Sequence, residues 1–290
     1  MDGFLLQVFS GLASGSIYAL VALALVMIYQ STHHINLAQG EMAMFATFIA
    51  WALIQAGVSY WIAFFLTIGI AFVGGVLVQR IFIKPVERAP VLNNVIVFVG
   101  LLVIFNAMAG WIFDHVVKSF DSPFPTQSPV LNSYISGHQL GTVGVTFGVV
   151  VVVYSFFRFT PIGLAMRAAA QNPDSAALVG IRVSWMLALG WGLAASIGSV
   201  AGMMAAPVLF LDPNLMAGVL LYGFAAALLG GIDNAFGAIV GGLLVGVIEN
   251  ILGAYVIGND LKLTVALVLI VGTLTLMPNG LFGKNVVTRV

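Results

Sequence analysis

The segment Tyr29-Gln-Ser-Thr-His-His-Ile-Asn-Leu-Ala-Gln-Gly-Glu41 crowds hydrogen-bonding side chains between two apolar runs. Asn36 is placed to cap a following helix, and Gln39, three residues on, to return the bond in a capping box. Glu41 then falls in the first turns, near the positive end of the helix dipole. Polar groups this close to an apolar run are costly unless they line a cavity or pair with one another. Tyr18, Asn36, Gln39 and Glu41 are therefore candidates for lining a pathway or a gate near the cytoplasmic side. The alternative is a tight helix–loop–helix with satisfied caps. Glu249 is the other acid inside an apolar run, and with Asn250 beside it reads as a packing or interfacial hydrogen bond. Two isolated glutamates are a thin basis for a proton-coupled carrier, which needs several paired groups. Adjacent histidines on a helix point to different faces, and His33-His34 have no third ligand nearby, so no metal site is expected.

A second cluster lies at 158–184. Thr160-Pro161 reads as a helix N-cap followed by proline at the first helical position. Asn172-Pro173-Asp174 repeats the signal, with Asp174 in the first turn, and Gly180 is a C-terminal stop. The spacing predicts two short helices, 161–171 carrying Arg167 and 173–179 rich in alanine. Two capped helices in one loop suit a docking element for another protein, or a lid lying on the membrane surface. The remaining chemistry is bounded by absences. No GxxxxGK[ST] phosphate loop exists, and Gly283-Lys284 lacks the upstream glycine. His115 and His138 have no catalytic company, there is no cysteine, and nothing resembles a selectivity filter or a ring of charge. No catalytic residue and no cofactor of its own is expected on this chain, so energy for active transport has to come from another one.

These residues must be positioned by membrane helices. Of 290 residues, 61% are hydrophobic and 7% charged, ten Lys/Arg against ten Asp/Glu. Mean hydropathy is +1.12. Soluble globular proteins carry about 25% charged residues, so a soluble enzyme, a disordered chain and a nucleic-acid binder are excluded. The apolar runs are unbroken, as in 95–105, and do not alternate as barrel strands would. The fold class is an all-α polytopic membrane bundle. Nine apolar segments are counted (4–29, 37–56, 58–79, 95–113, 140–157, 185–206, 215–232, 235–257 and 263–279), within a range of eight to ten spans. The first is long enough to hide a break at Gly11-Leu-Ala-Ser-Gly-Ser16. The whole of 1–290 reads as one transmembrane domain, with a long outer loop at 114–139 carrying Pro123, Pro125 and Pro129. The N-terminus has neither a basic n-region nor a small-residue cleavage site, so no removed signal peptide is expected.

Orientation follows the basic residues in the loops. Arg80, Lys84, Arg88, Arg158, Arg167, Arg182, Lys284 and Arg289 fall on one side, and Lys118 and Lys262 on the other. This puts the C-terminus in the cytoplasm and the N-terminus outside. Trp61, Trp111 and Trp185 sit at span ends as interfacial anchors, and Trp191 falls mid-span, where packing explains it. Gly11/Gly15, Gly198/Gly202, Gly237/Gly241 and Gly242/Gly246 have the spacing that lets helix backbones approach, either within the chain or at a subunit interface.

At this point the residues resemble a known family. Ile35-Asn-Leu-Ala-Gln-Gly-Glu-Met-Ala-Met44 resembles the signature of permease subunits of bacterial branched-chain amino-acid ABC importers. Gly11–Leu20 looks like the family's first span, Thr160–Ile181 like its cytoplasmic coupling region, and Gly230-Gly231 through Gly237–Gly242 to Glu249 like its glycine-rich C-terminal part. The likeness covers nearly the whole chain and is nearer to the shorter of the two paralogous permeases. It implies a type II importer-like permease of the bacterial inner membrane, paired with a second permease. It also implies two cytoplasmic ATP-binding subunits, which hold ATP and Mg, and a periplasmic binding protein that delivers leucine, isoleucine or valine. Coupling contacts are implied at Arg167, Ala170, Asn172, Pro173, Asp174, Ala176 and Gly180. The general coupling motif, EAA then three residues then Gly, is met loosely by Asp174-Ser175-Ala176 and Gly180, and the later Ile-x-Leu-Pro element is absent. Urea, short amides or other amino acids are alternative cargoes. A secondary carrier working alone is the rival mechanism.

Overall fold

The computed structural model describes residues 2–32, 34–87, 89–125 and 135–283. Every apolar segment of the sequence forms a helix. In chain order these are α1 (Asp2–Thr32), α2 (Gln39–Gln55), α3 (Tyr60–Val78), α4 (Val91–Phe113) and α5 (Gly137–Phe159), then α6 (Pro161–Gln171), α7 (Pro173–Leu178), α8 (Val183–Leu209), α9 (Leu215–Gly230), α10 (Ala235–Leu252) and α11 (Lys262–Leu276). Among the described residues six stretches are long and apolar enough to cross a membrane: Gly3–Gln30, Tyr60–Val86, Val91–Phe113, Gly137–Phe159, Val183–Leu209 and Ala235–Ile257. α2, α9 and α11, at 17, 16 and 15 residues, are shorter than the roughly 20 that a straight crossing takes. The extended backbone pairing among the described residues is an isolated bridge between Lys118 and Leu211. His33, Arg88, Pro129, Lys284 and Arg289, which entered the metal, loop and orientation readings, lie outside the described residues.

Two compact units divide the chain. The first comprises Met1–Val26, Phe124–Gly144 and Gly218–Val290. Within it α1 runs unbroken through Gly11–Ser16, contrary to the break considered from sequence. These glycines are spent on packing instead. A Cβ on Gly11 would lie 2.7 Å from the Val247 Cα, and one on Gly15 2.8 Å from the Gly242 carbonyl oxygen. Gly246 faces Gly11 and Gly15 in return, and Gly242 faces Ala19. Gly237 and Gly241 meet the Gly230 and Ala226 carbonyls of α9.

The second unit comprises Met27–Pro123 and Val145–Ala217. Here α2 packs on α3, α4 and α8. Gly202 of α8 lies under Thr47 and the Ala43 carbonyl of α2, and Gly198 under Gln39. All four predicted glycine pairs thus serve packing inside the chain. Trp191 is fully buried and stacks on Phe98 at 6.0 Å, as packing required. Trp61 and Trp185 are partly exposed and Trp111 largely so. Arg80 sits 3.5 Å over the Trp185 ring.

α6 and α7 form where the caps predicted them. Thr160 Oγ1 accepts from the Gly163 amide at 3.0 Å, and Asn172 Oδ1 from the Ser175 amide at 2.9 Å. α7 ends in a Schellman motif: Gly180, at φ +87°, donates to the Ala177 carbonyl, and Ile181 donates to Ala176, both at 3.0 Å. The helix stops at Leu178, one residue before the predicted end, because Val179 is already the cap.

Candidate functional site

The polar segment before α2 is drawn into the protein. Gln30, near the end of α1, lines a small cavity with Met186 and Leu187 at the start of α8. Gln39 instead reaches Ala194, near the middle of α8, with its Nε2 donating to that carbonyl at 3.0 Å. Seven residues of helix are about 10 Å, so the chain climbs two turns of α8 between Gln30 and Gln39. Asn36, Ala38 and Gln39 are buried to within 1%. α2 therefore begins beside mid-helix, which is why it is short. Irregular backbone at membrane depth is tolerated where it is buried in protein or lines a cavity.

The predicted capping box does not form. α2 starts at Gln39 behind Ala38, and no side chain caps it. Asn36 Oδ1 accepts from the Ala38 amide at 3.0 Å, and Asn36 Nδ2 donates to Gln39 Oε1 at 3.4 Å. A buried amide needs partners on both ends, and Gln39 finds its second one across the bundle on α8. Gly198 makes that possible, since a Cβ there would lie 2.5 Å from Gln39 Nε2.

Glu41, in the first turn of α2, is also buried. Its Oε2 accepts from Asn106 Nδ2 of α4 at 3.3 Å, and the same amide donates to the Pro213 carbonyl at 2.8 Å. Asn106 was missed from the sequence. Its one signal was being a lone amide inside the apolar run 95–113. Met42 and Phe105, the sequence neighbours of this pair, line an apolar cavity of about 160 Å³ among α2, α3, α4 and α8.

Tyr18 is the fourth pathway candidate. It belongs to the other unit, where its hydroxyl donates to Glu249 Oε2 at 2.8 Å and its ring stacks on Tyr222 at 4.7 Å. Tyr222 also hydrogen-bonds Glu249. Lys262 Nζ donates to Asn250 Oδ1 at 3.4 Å, and Asn250 Nδ2 to the Gly246 carbonyl at 3.1 Å. The network ties α1, α9, α10 and α11 through buried polar groups. Stranding one such group costs about 1–3 kcal/mol, so Tyr18→Phe is expected to destabilise the protein by that amount. Thermal unfolding in detergent checks it, with Tyr18→Phe/Glu249→Leu showing less than the sum of the two single changes.

The residues of 158–184 divide by burial. Ala176 is buried, and α7 packs on α6 and α8. Arg167 and Ala170 line the small cavity by Gln30. Asn172, Pro173, Asp174 and Gly180 are exposed. Leu178 and Val179, at the tip, are 88% and 77% exposed.

A family described as the permease component of the branched-chain amino acid transport system matches residues 7–274. The chain is similar to the high-affinity branched-chain amino acid transport permease protein LivH of Salmonella typhimurium, at 29% identity over 99% of this chain and 98% of LivH. It is similar in the same degree and extent to BraD of Pseudomonas aeruginosa. In fold it resembles PsaBC of Streptococcus pneumoniae, with a TM-score of 0.51 at 13% identity, over 93% of this chain and 91% of that one. With apolar helices long enough to cross a bilayer and a family match over most of its length, the chain is a multi-pass membrane protein that belongs to the branched-chain amino acid transport system permease components.

Proposed function

We propose that the chain is the membrane-spanning subunit of an ATP-driven importer of branched-chain amino acids in the bacterial inner membrane. Its partners are a second, paralogous permease, two cytoplasmic ATP-binding subunits that hold ATP and Mg, and a periplasmic binding protein. The 1–290 chain works as one permease domain of the type II importer kind, with its C-terminus in the cytoplasm and its N-terminus outside. All nine apolar helices count as membrane segments, and α2 is a discontinuous one that begins within the bundle, as substrate-handling helices of transporters often do.

The observation that carries this reading is the α6–α7 pair. Two short helices with side-chain N-caps, closed by a Schellman turn, are packed on α8 and leave Leu178 and Val179 exposed. We read these two exposed apolar side chains as a knob for a groove in a partner protein rather than as the underside of a lid on the membrane. Closure of the ATP-binding subunits moves this knob and, through Ala176, the start of α8. That tilt gives alternating access.

Reconstitution tests it. In proteoliposomes this chain alone should take up no leucine. Adding the second permease, the ATP-binding subunits, the binding protein and ATP should raise uptake at least tenfold. Equal uptake without ATP or partners would identify a stand-alone carrier instead.

A further inference from the structure

We propose that the cavity among α2, α3, α4 and α8 is a subsite for an aliphatic amino acid, with the side chain among Met42, Phe45, Ala46, Ile49, Ile70 and Phe105 and the α-ammonium at the Glu41 carboxyl group. The proposal rests on the reading of the chain as an amino-acid permease and adds to it a place and a mode of binding.

Size and chemistry agree. The cavity holds about 160 Å³. An apolar cavity of about 150 Å³ accommodates a ring the size of benzene, so a branched four-carbon side chain fits. Its lining is methionine, phenylalanine, isoleucine, alanine and glycine, with no ionisable group. It opens beside Ile70, which is 44% exposed. On the α3 wall, a Cβ at Gly74 would meet nothing within 4 Å.

The polar end is set by two residues one step from the lining. Glu41 is one turn before Phe45 on α2, and Asn106 follows Phe105 on α4. The two rings are 5.6 Å apart, and Glu41 and Asn106 are themselves hydrogen-bonded. Among the described residues Asn106 is the one donor to the Glu41 carboxyl, at 3.3 Å, and its amide is already committed at 2.8 Å to Pro213. A carboxylate has about four acceptor positions. A buried one without a cation is costly, and apolar surroundings sharpen that cost. An ammonium group supplies both the donors and the charge, and the ligand's own carboxylate is then directed away from Glu41, toward the open side of the cavity. The site discriminates twice: against charged or large side chains by the apolar walls, and against molecules lacking an ammonium by Glu41.

The chain has no cysteine, so Ile49→Cys gives a single reporter thiol in a transporter assembled with partner subunits made free of cysteine, with Ala46→Cys as a second reporter if the first fails to assemble. The rate of maleimide labelling is measured without nucleotide and with ATP bound. Leucine should slow labelling at least tenfold in one of these states. Glutamate and 4-methylpentanoate, which is leucine without its ammonium, should change it less than twofold. Gly74→Leu in the same background fills the cavity and should remove the protection by leucine. Leucine uptake by the unmodified transporter with no protection in either state overturns the subsite and leaves the permease reading standing. Equal protection by 4-methylpentanoate overturns the role of Glu41. No leucine uptake by the unmodified complete transporter overturns the underlying reading, and the subsite with it.

Discussion

Leucine in place of Gly15 is expected to prevent the chain from folding in the membrane. The Cβ alone would lie 2.8 Å from the Gly242 carbonyl oxygen and 2.9 Å from the Leu243 Cα. These are backbone atoms of α10, so no side chain can swing aside. Gly246 already uses the space on the facing helix, meeting Gly11 and Gly15. In a bilayer, packing of this kind is what holds helices together, because lipid is as apolar as the side chains. Overpacking a tight core costs about 1–3 kcal/mol, and more where the backbone must move. Against a net stability of about 5–15 kcal/mol, forcing α1 off α10 along this seam removes a large share. The yield of monodisperse protein should fall at least tenfold. Gly69→Leu, where a Cβ meets nothing within 4 Å, should keep near-normal yield. A Gly15→Leu protein that purifies and melts like the unmodified one would show that α1 and α10 do not pack this way.

Gly180→Trp is expected to lower ATP-driven uptake at least tenfold while the assembled complex still hydrolyses ATP. Gly180 closes α7 at φ +87°, a conformation costing other L-residues about 1–2 kcal/mol. α7 has only six residues. Its order depends on Asn172 at one end and on the bonds from Gly180 and Ile181 at the other. Loss of the turn frays the helix and frees Leu178 and Val179 from their fixed direction. On the proposed coupling role of α6–α7, closure of the ATP-binding subunits is then no longer transmitted to α8. Asparagine tolerates the left-handed region, so Gly180→Asn should restore most of the uptake. If Gly180→Trp transports normally, the α6–α7 pair is not the coupling element.

The helix pair was legible because its determinants are local. Thr160, Pro161, Asn172, Pro173 and Gly180 each act within four residues, and the structure forms α6 and α7 between them. The polar residues before α2 were legible as a type but not as a constellation. Their partners lie far away along the chain: Gln39 bonds Ala194, Glu41 bonds Asn106, and Tyr18 bonds Glu249 at a separation of 231 residues. Grouping Tyr18 with Glu41 as pathway residues was natural from their polarity, yet the two sit in different compact units with different partners. Tyr222 carried no signal at all, since a tyrosine in an apolar run reads as ordinary packing.

Composition and periodicity settled the solvent and the secondary structure. A chain this poor in charge and this rich in unbroken apolar runs has to satisfy its backbone inside helices, and every such run is one. Hydropathy could not tell which helices face protein and which face lipid. α1 and α5 are almost equally apolar, yet most of the first is buried in the protein and little of the second. Lipid and protein interior are alike to an apolar side chain, so the choice between them falls to shape. Glycines that admit a neighbouring backbone draw α1 against α10, and a buried amide bonded to mid-α8 starts α2 inside the bundle. Such fits form only when segments distant in sequence meet, so they belong to the tertiary structure.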